Sequence, residues 1–215
     1  HSRYQKYYNE SMPILFLMLS AIAFPTPVRG IEITILYNNI PDAPGCVCQW
    51  GFACLVQGTQ ETILFDTGGD GRVLLANMER LGVDPGDIDC VVLSHSHGDH
   101  TGGVRELLRY LKPVRWYIPE DFAARFRNPI ERAGHSVIPV SGHVEICPAV
   151  FSTGELGSGI KEQSLIVETD SGLIVITGCA HPGIVHITAT ARKQREQKVH
   201  LVLGGFHLGS TSESQ

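Results

Sequence analysis

Apolar and polar residues alternate through Ile31-Glu32-Ile33-Thr34-Ile35, the period of a half-buried strand. Two more apolar runs, 52–56 and 61–65, flank Gly58-Thr59-Gln60 and pair as the next two strands of an antiparallel meander. After Asp70 the period changes. Leu74, Met78 and Leu81 recur at helical spacing and Gly82 stops them, which predicts a helix over 70–81. A strand over 88–93 follows, then a helix marked by Val104, Leu107, Leu108 and Leu111 and closed by Pro113. The second half predicts a strand at 116–118, a helix at 120–127, and a hairpin of 164–168 with 173–176 around Asp170-Ser171-Gly172. A helix over 184–194 and a strand over 199–203 complete the set.

The strand at 88–93 runs into Ser94-His95-Ser96-His97-Gly98-Asp99-His100-Thr101-Gly102-Gly103, three imidazoles and a carboxylate within six positions. In extended backbone His95 and His97 point to one side. Asp99 and His100 follow a turn at Gly98 and approach from another direction. Imidazole with carboxylate suits zinc, iron or manganese, and two such ions about 3.5–4 Å apart can share a hydroxide. On this reading His95 and His97 hold one ion and Asp99 and His100 the other. Two further strand ends deliver histidines, His181 within Gly178-Cys179-Ala180-His181-Pro182-Gly183 and His207 within Gly204-Gly205-Phe206-His207. The isolated His135, His143, His186 and His200 read as ordinary surface or core residues.

Composition narrows the partners. The 215 residues suit one domain with a sizeable core, or at most two small ones, and 43% hydrophobic with 18% charged content is that of a soluble globular chain. A net charge of -5 without a dense Lys/Arg run argues against the electrostatic footprint of a nucleic-acid binder and names no partner; the small-molecule substrate expected follows from the resemblance given below. Nothing in the composition names an oligomeric state. Residues 1–30 carry the parts of a secretory signal peptide: Arg3 and Lys6, an apolar run over 13–20 and the triplet Ala21-Ile22-Ala23. They predict export to a periplasm or the medium, with no stable membrane insertion after cleavage; a disordered extension of a cytoplasmic protein is the alternative. The domain proper spans 31–208, with a polar tail over 209–215. Cys46 and Cys48 lack the second pair of a structural zinc site and read as a solvated loop or as disulfide partners for Cys54, whereas Cys90 and Cys147 read as buried small hydrophobes.

The His-x-His-x-Asp-His run, Leu64-Phe65-Asp66-Thr67-Gly68 upstream of it and the strand-ending histidines resemble the metallo-β-lactamase superfamily. Phe65-Asp66-Thr67-Gly68-Gly69-Asp70-Gly71 and the two segments around His181 and His207 are similar to its dihydropterin–ribofuranosylaminobenzene phosphate synthase-like branch. The resemblance implies an α/β (strictly α+β) αββα sandwich with metals at one edge between two sheets. It makes His95, His97, Asp99, His100 and His181 metal ligands, Asp99 and His181 the candidate catalytic residues, and Asp66 a hydrogen-bonding support of the histidine loop. Many members carry a bridging Asp where this chain has Cys179, a softer donor. The branch continues past Gly-Gly-Phe-His to a strand and helix bearing His-Cys-Thr-Gly, so the chain is expected to lack its last strand and helix, with His207 partly substituting. The function implied is metal-dependent hydrolysis of an ester, phosphoester or similar small polar substrate, with zinc the first choice of ion. The alternatives are a transferase joining a dihydropterin diphosphate to an aminobenzene ribofuranosyl phosphate, and a metal-binding protein with weak or lost turnover.

Overall fold

A computed structural model describes residues 30–40 and 44–206. All but the last residue of the segment read as a signal peptide, the tail from 209 and His207 lie outside these residues. Among the described residues no helix is long and apolar enough to cross a membrane.

The first sheet runs in chain order: β1 (Glu32–Tyr37), β2 (Ala53–Gln57), β3 (Ile63–Phe65), β4 (Cys90–Val92), β5 (Arg115–Pro119) and β6 (Ser136–Val140). The first three strands form the expected antiparallel meander, and β3 to β6 are parallel. Parallel neighbours need crossovers. Here these contain α1 (Gly71–Arg80), the short α2 (Gly98–Thr101) and α3 (Val104–Leu107), and α4 (Glu120–Arg132). The second sheet is built from β7 (Val144–Cys147), β8 (Val150–Ser152), β9 (Leu165–Thr169), β10 (Gly172–Thr177) and β11 (Val199–Gly204), with α5 (Ile184–Arg195) joining the parallel pair β10 and β11.

Three apolar clusters make this a four-layer αββα sandwich. Leu64, Val91, Trp116 and Ile118 on one face of the first sheet pack with Leu74 and Met78 of α1 and Phe122 and Ile130 of α4. The opposite face, through Val56, Phe65 and Val92, meets Val150, Leu165, Val167 and Ile176 of the second sheet. Leu173 and Val175 on that sheet's outer face meet Ile187 and Ala191 of α5. Consecutive β10 residues are buried on both faces, so this strand reads as a continuous apolar run rather than an alternation.

Several expected boundaries move. The helix expected from 120 to 127 continues to Arg132 through Pro129, because Ile130 is wholly buried against the first sheet. That apolar anchor outweighs the helical N–H that proline lacks. The helix marked by Leu107 to Leu111 shortens to Val104–Leu107 and continues as hydrogen-bonded turns. Strands β6 to β8 carry no periodic signal, since runs of three to five residues interrupted by Pro139 and Gly142 are too short to show one. A disulfide from Cys54 is not formed: all six cysteines are free, and Cys54 lies wholly buried between the sheets.

Candidate metal centre

The chemistry-bearing residues gather where strands end. Asp66 follows β3, Ser94 and His95 follow β4, and Gly178 to His181 follow β10, so both sheets deliver side chains to one edge of the sandwich. Parallel strands present their carboxyl ends on the same side, which is where ligands of such sheets bind.

His97 has extended backbone and stands at the N-cap of α2, whose first residue is Gly98. The turn expected at Gly98 is therefore a helix start. Space around this residue is open, so glycine is not required there. Glycine is required at Gly178, where a Cβ would lie 2.1 Å from Ser94 Oγ and 2.9 Å from His95 Nδ1. That close approach brings the second sheet's loop onto the histidine loop.

Asp66 organises the first half of the centre. It is wholly buried, with a left-handed φ of 60°. Its Oδ1 accepts from the Ser94 N–H at 2.7 Å; its Oδ2 accepts from Ser94 Oγ at 2.7 Å and pairs with His100 Nδ1 at 2.7 Å. Thr67 adds two hydrogen bonds, from its N–H and its hydroxyl, to the His100 carbonyl. A carboxylate beside Nδ1 keeps the proton on that nitrogen and turns Nε2 toward the site. Proton counting extends the logic to His95. Ser94 Oγ has one hydrogen and gives it to Asp66, so at its 2.9 Å contact with His95 Nδ1 it accepts. His95 Nε2 then presents a bare lone pair.

Ring nitrogens of three histidines converge. His95 Nε2 lies 3.1 Å from His97 Nδ1, and His181 Nε2 lies 3.3 Å from the same atom. Two nitrogen ligands of a tetrahedral zinc, each about 2.0–2.1 Å from the ion, stand about 3.3 Å apart, so this spacing fits an ion among the three. On the other side, His100 Nε2 lies 3.5 Å from Asp99 Oδ2 and 3.2 Å from Cys179 Sγ. The donor atoms of His95, Cys179 and His181 all lie within 4.8 Å of one another, as do those of Asp99, His100 and Cys179. The nitrogen, oxygen and sulfur donors suit a borderline divalent ion such as zinc or iron and not magnesium or calcium. The structure thus brings together His95, His97, Asp99, His100, Cys179, His181 and Asp66.

The loop bearing Cys179 and His181 is held by a residue whose role the sequence did not show. Glu162 is 1% exposed, and its Oε1 accepts from Thr177 Oγ1 and from the N–H groups of Gly178, Cys179 and Ala180 at 2.6 to 3.1 Å. Its Oε2 accepts from the His181 N–H at 2.9 Å. Next to it, Gln163 ties the sheets together. Its Nε2 donates to the Leu93 and Tyr117 carbonyls, its Oε1 accepts from Ser152 Oγ, and its N–H donates to the Ser94 carbonyl. The only trace in the sequence is a Glu-Gln pair ahead of an apolar strand, since backbone partners leave no residue-type pattern.

Without metal, the histidines differ sharply. Burial, reinforced by the neighbouring His100, pushes His95 down to about 3. For His100 burial also opposes the charge, but the Asp66 carboxylate overrides it and raises the group to about 12. Folding therefore disfavours a proton on His95 and favours one on His100. His95 costs stability as pH falls below 6.5 toward about 3, while the His100 contribution is complete below 6.5 and declines as pH rises toward about 12. The metal-free chain is thus expected to be most stable near pH 6.5 as far as these groups decide it. Denaturant melts of chelator-treated protein from pH 4 to 9 check this; a monotonic rise in stability across that range would contradict it.

Beside the donors lies a cavity of about 580 Å³. Asp99, His100 and Cys179 line it together with Trp50, Phe52 and Phe206. Trp50 is 74% exposed, a large apolar surface at the entrance to a polar site.

A four-layer sandwich with a histidine-rich donor cluster at the shared strand-end edge defines a metal-binding αββα protein. The metallo-beta-lactamase superfamily model matches residues 51–192, and the chain belongs to that superfamily. It is 28% identical over 210 residues to the 7,8-dihydropterin-6-methyl-4-(beta-D-ribofuranosyl)-aminobenzene-5'-phosphate synthase of Methanocaldococcus jannaschii, covering 74% of this chain and 71% of that protein. A crystal structure of a metal-dependent hydrolase of the beta-lactamase superfamily superposes with a TM-score of 0.70 at 27% identity, over 86% of this chain and 79% of the other. A quorum-quenching N-acyl homoserine lactone hydrolase shares the fold with a TM-score of 0.56 at 16% identity, over 87% and 97% of the two chains.

Proposed function

We propose that this chain is a metal-dependent hydrolase acting on an ester, phosphoester or similar bond of a small substrate. The observation that carries the reading is the convergence of two donor sets, each assembled from loops of both sheets, of which Asp99, His100 and Cys179 line the cavity. A divalent ion held there, zinc by preference, would supply Lewis acidity and a water acidified from 15.7 toward about 7.

The chain's own residues do the rest. His95, His97 and His181 provide one ligand set; Asp99, His100 and Cys179 provide the other. Asp66 keeps the His100 proton on Nδ1, and Ser94 does the same for His95, so that both Nε2 atoms remain donors to metal. Asp99 is only partly buried and lines the cavity. Its carboxylate, held down to about 2 mainly by hydrogen bonding to His100, stays ionised and so remains an anionic donor for the ion.

A second reading is favoured by the similarity to the Methanocaldococcus synthase and by the aromatic wall of Trp50, Phe52 and Phe206, which suits a flat ring. One screen separates the two. Zinc-, iron(II)- and manganese-loaded protein is assayed on aryl phosphoesters, carboxylic esters and lactones, and separately for pyrophosphate release from a dihydropterin diphosphate with an arylamine acceptor. Turnover on the first panel, falling at least about 1,000-fold in His97→Ala, is the expected result. Pyrophosphate release that requires both co-substrates would select the transferase. Bound metal without turnover in any assay would leave only a metal-binding role.

A further inference from the structure

We propose that Cys179 is a thiolate ligand shared by two ions, so that the two donor sets form one coupled binuclear centre. This rests on the metal centre of the hydrolase reading and specifies how its halves are joined.

Two clusters of possible metal donors occur among the described residues, and Cys179 is the member common to both. The first adds His95 and His181, the second Asp99 and His100. The sulfur already stands 3.2 Å from His100 Nε2 and lines the cavity, whereas Cys54, Cys90 and Cys147 are buried in the core between the sheets. Its backbone is pinned. The N–H groups of Gly178, Cys179 and Ala180 all bind Glu162 Oε1, and Ala180 holds a left-handed φ of 56°, a conformation that non-glycine residues keep only when their surroundings impose it. The sulfur is therefore delivered to the boundary between the sets by a rigid loop, as a shared ligand requires.

Sulfur has lone pairs enough for two ions, and a thiolate selects zinc, iron(II) or cobalt(II) over magnesium or calcium. On binding, the Cys179 S–H bond gives its proton to the buffer, two metal–sulfur bonds form, and nothing is oxidised or reduced.

Cobalt(II) titration of the metal-free full chain tests this, read by near-ultraviolet thiolate-to-cobalt charge transfer and by metal analysis. The expected result is absorption that grows through two equivalents, with alkylation of Cys179 by iodoacetamide, followed by peptide mass spectrometry, slowed at least about tenfold by metal. Cys179→Ser should lose the band and hold one ion or fewer; Cys179→Asp, which restores an anionic ligand, should hold two ions without the band. Absorption that saturates at one equivalent would make Cys179 a terminal ligand and overturn the proposal. So would two bound ions with no band, or unchanged stoichiometry in Cys179→Ser. The wild-type titration and alkylation do not depend on a variant folding. Failure here leaves the hydrolase reading intact if the loaded protein turns over esters, and failure of turnover leaves the shared thiolate intact if the band grows as expected.

Discussion

Replacing Glu162 with alanine is expected to lower stability by about 3–5 kcal/mol, counting about 1–3 kcal/mol for each buried donor left without an acceptor and allowing water to recover part of the loss. Five donors lose their partner together: the Thr177 hydroxyl and the N–H groups of Gly178, Cys179, Ala180 and His181. For a domain of this size the melting temperature should fall by about 10–15 °C. Glu162→Gln should cost less. Its carbonyl oxygen can still take the four Oε1 donors, but its amide then faces the His181 N–H, donor against donor. Calorimetric melts of the metal-free forms check the ordering. Zinc titrations should show weaker binding in both variants, because the loop carrying Cys179 and His181 is no longer held. Equal stability of Glu162→Ala and the wild type would show that the buried carboxylate is dispensable.

Asp66→Ala is expected to weaken zinc affinity by about 10–100-fold, the usual cost of removing a carboxylate that orients a ligating histidine. Three donors point at Asp66, namely the Ser94 N–H, Ser94 Oγ and His100 Nδ1. Without it, His100 loses the charge that fixes its proton on Nδ1, and Ser94 Oγ no longer has an acceptor that frees it to receive the His95 proton. Asp66→Asn separates charge from shape, since asparagine tolerates a φ of 60°. In the metal-free Asn variant, His100 should fall from about 12 toward the ordinary imidazole range, as nuclear magnetic resonance titration of its ring protons would report. A His100 that stays charged through pH 9 in Asp66→Asn would show that Asp66 is not what holds it.

Legibility differed by element. The meander of β1 to β3, helix α1 and the hairpin of β9 and β10 were readable because each contains a full period of apolar positions or a marked turn. Strands β6 to β8 were not, because their existence depends on partners distant in sequence: β6 pairs with β5, and β8 joins β7 to β9. The histidine run was readable because its donors are neighbours in the chain. Glu162 was not, because it acts on backbone amides 16 to 19 positions away. Gln163, whose carbonyl partners include one 70 positions away at Leu93, was hidden for the same reason.

By itself, then, the sequence pointed to a metal-binding motif with apolar strands and amphipathic helices around it, and the family resemblance put Asp66 beside it. Only the tertiary structure decided which nitrogen of His95 and of His100 carries the proton, because a tautomer is set by the group opposite the other nitrogen. The same is true of the joining of the two donor sets. Cys179 stands 79 positions from His100, and their approach to 3.2 Å exists only because two sheets pack face to face and Gly178 lets their loops touch.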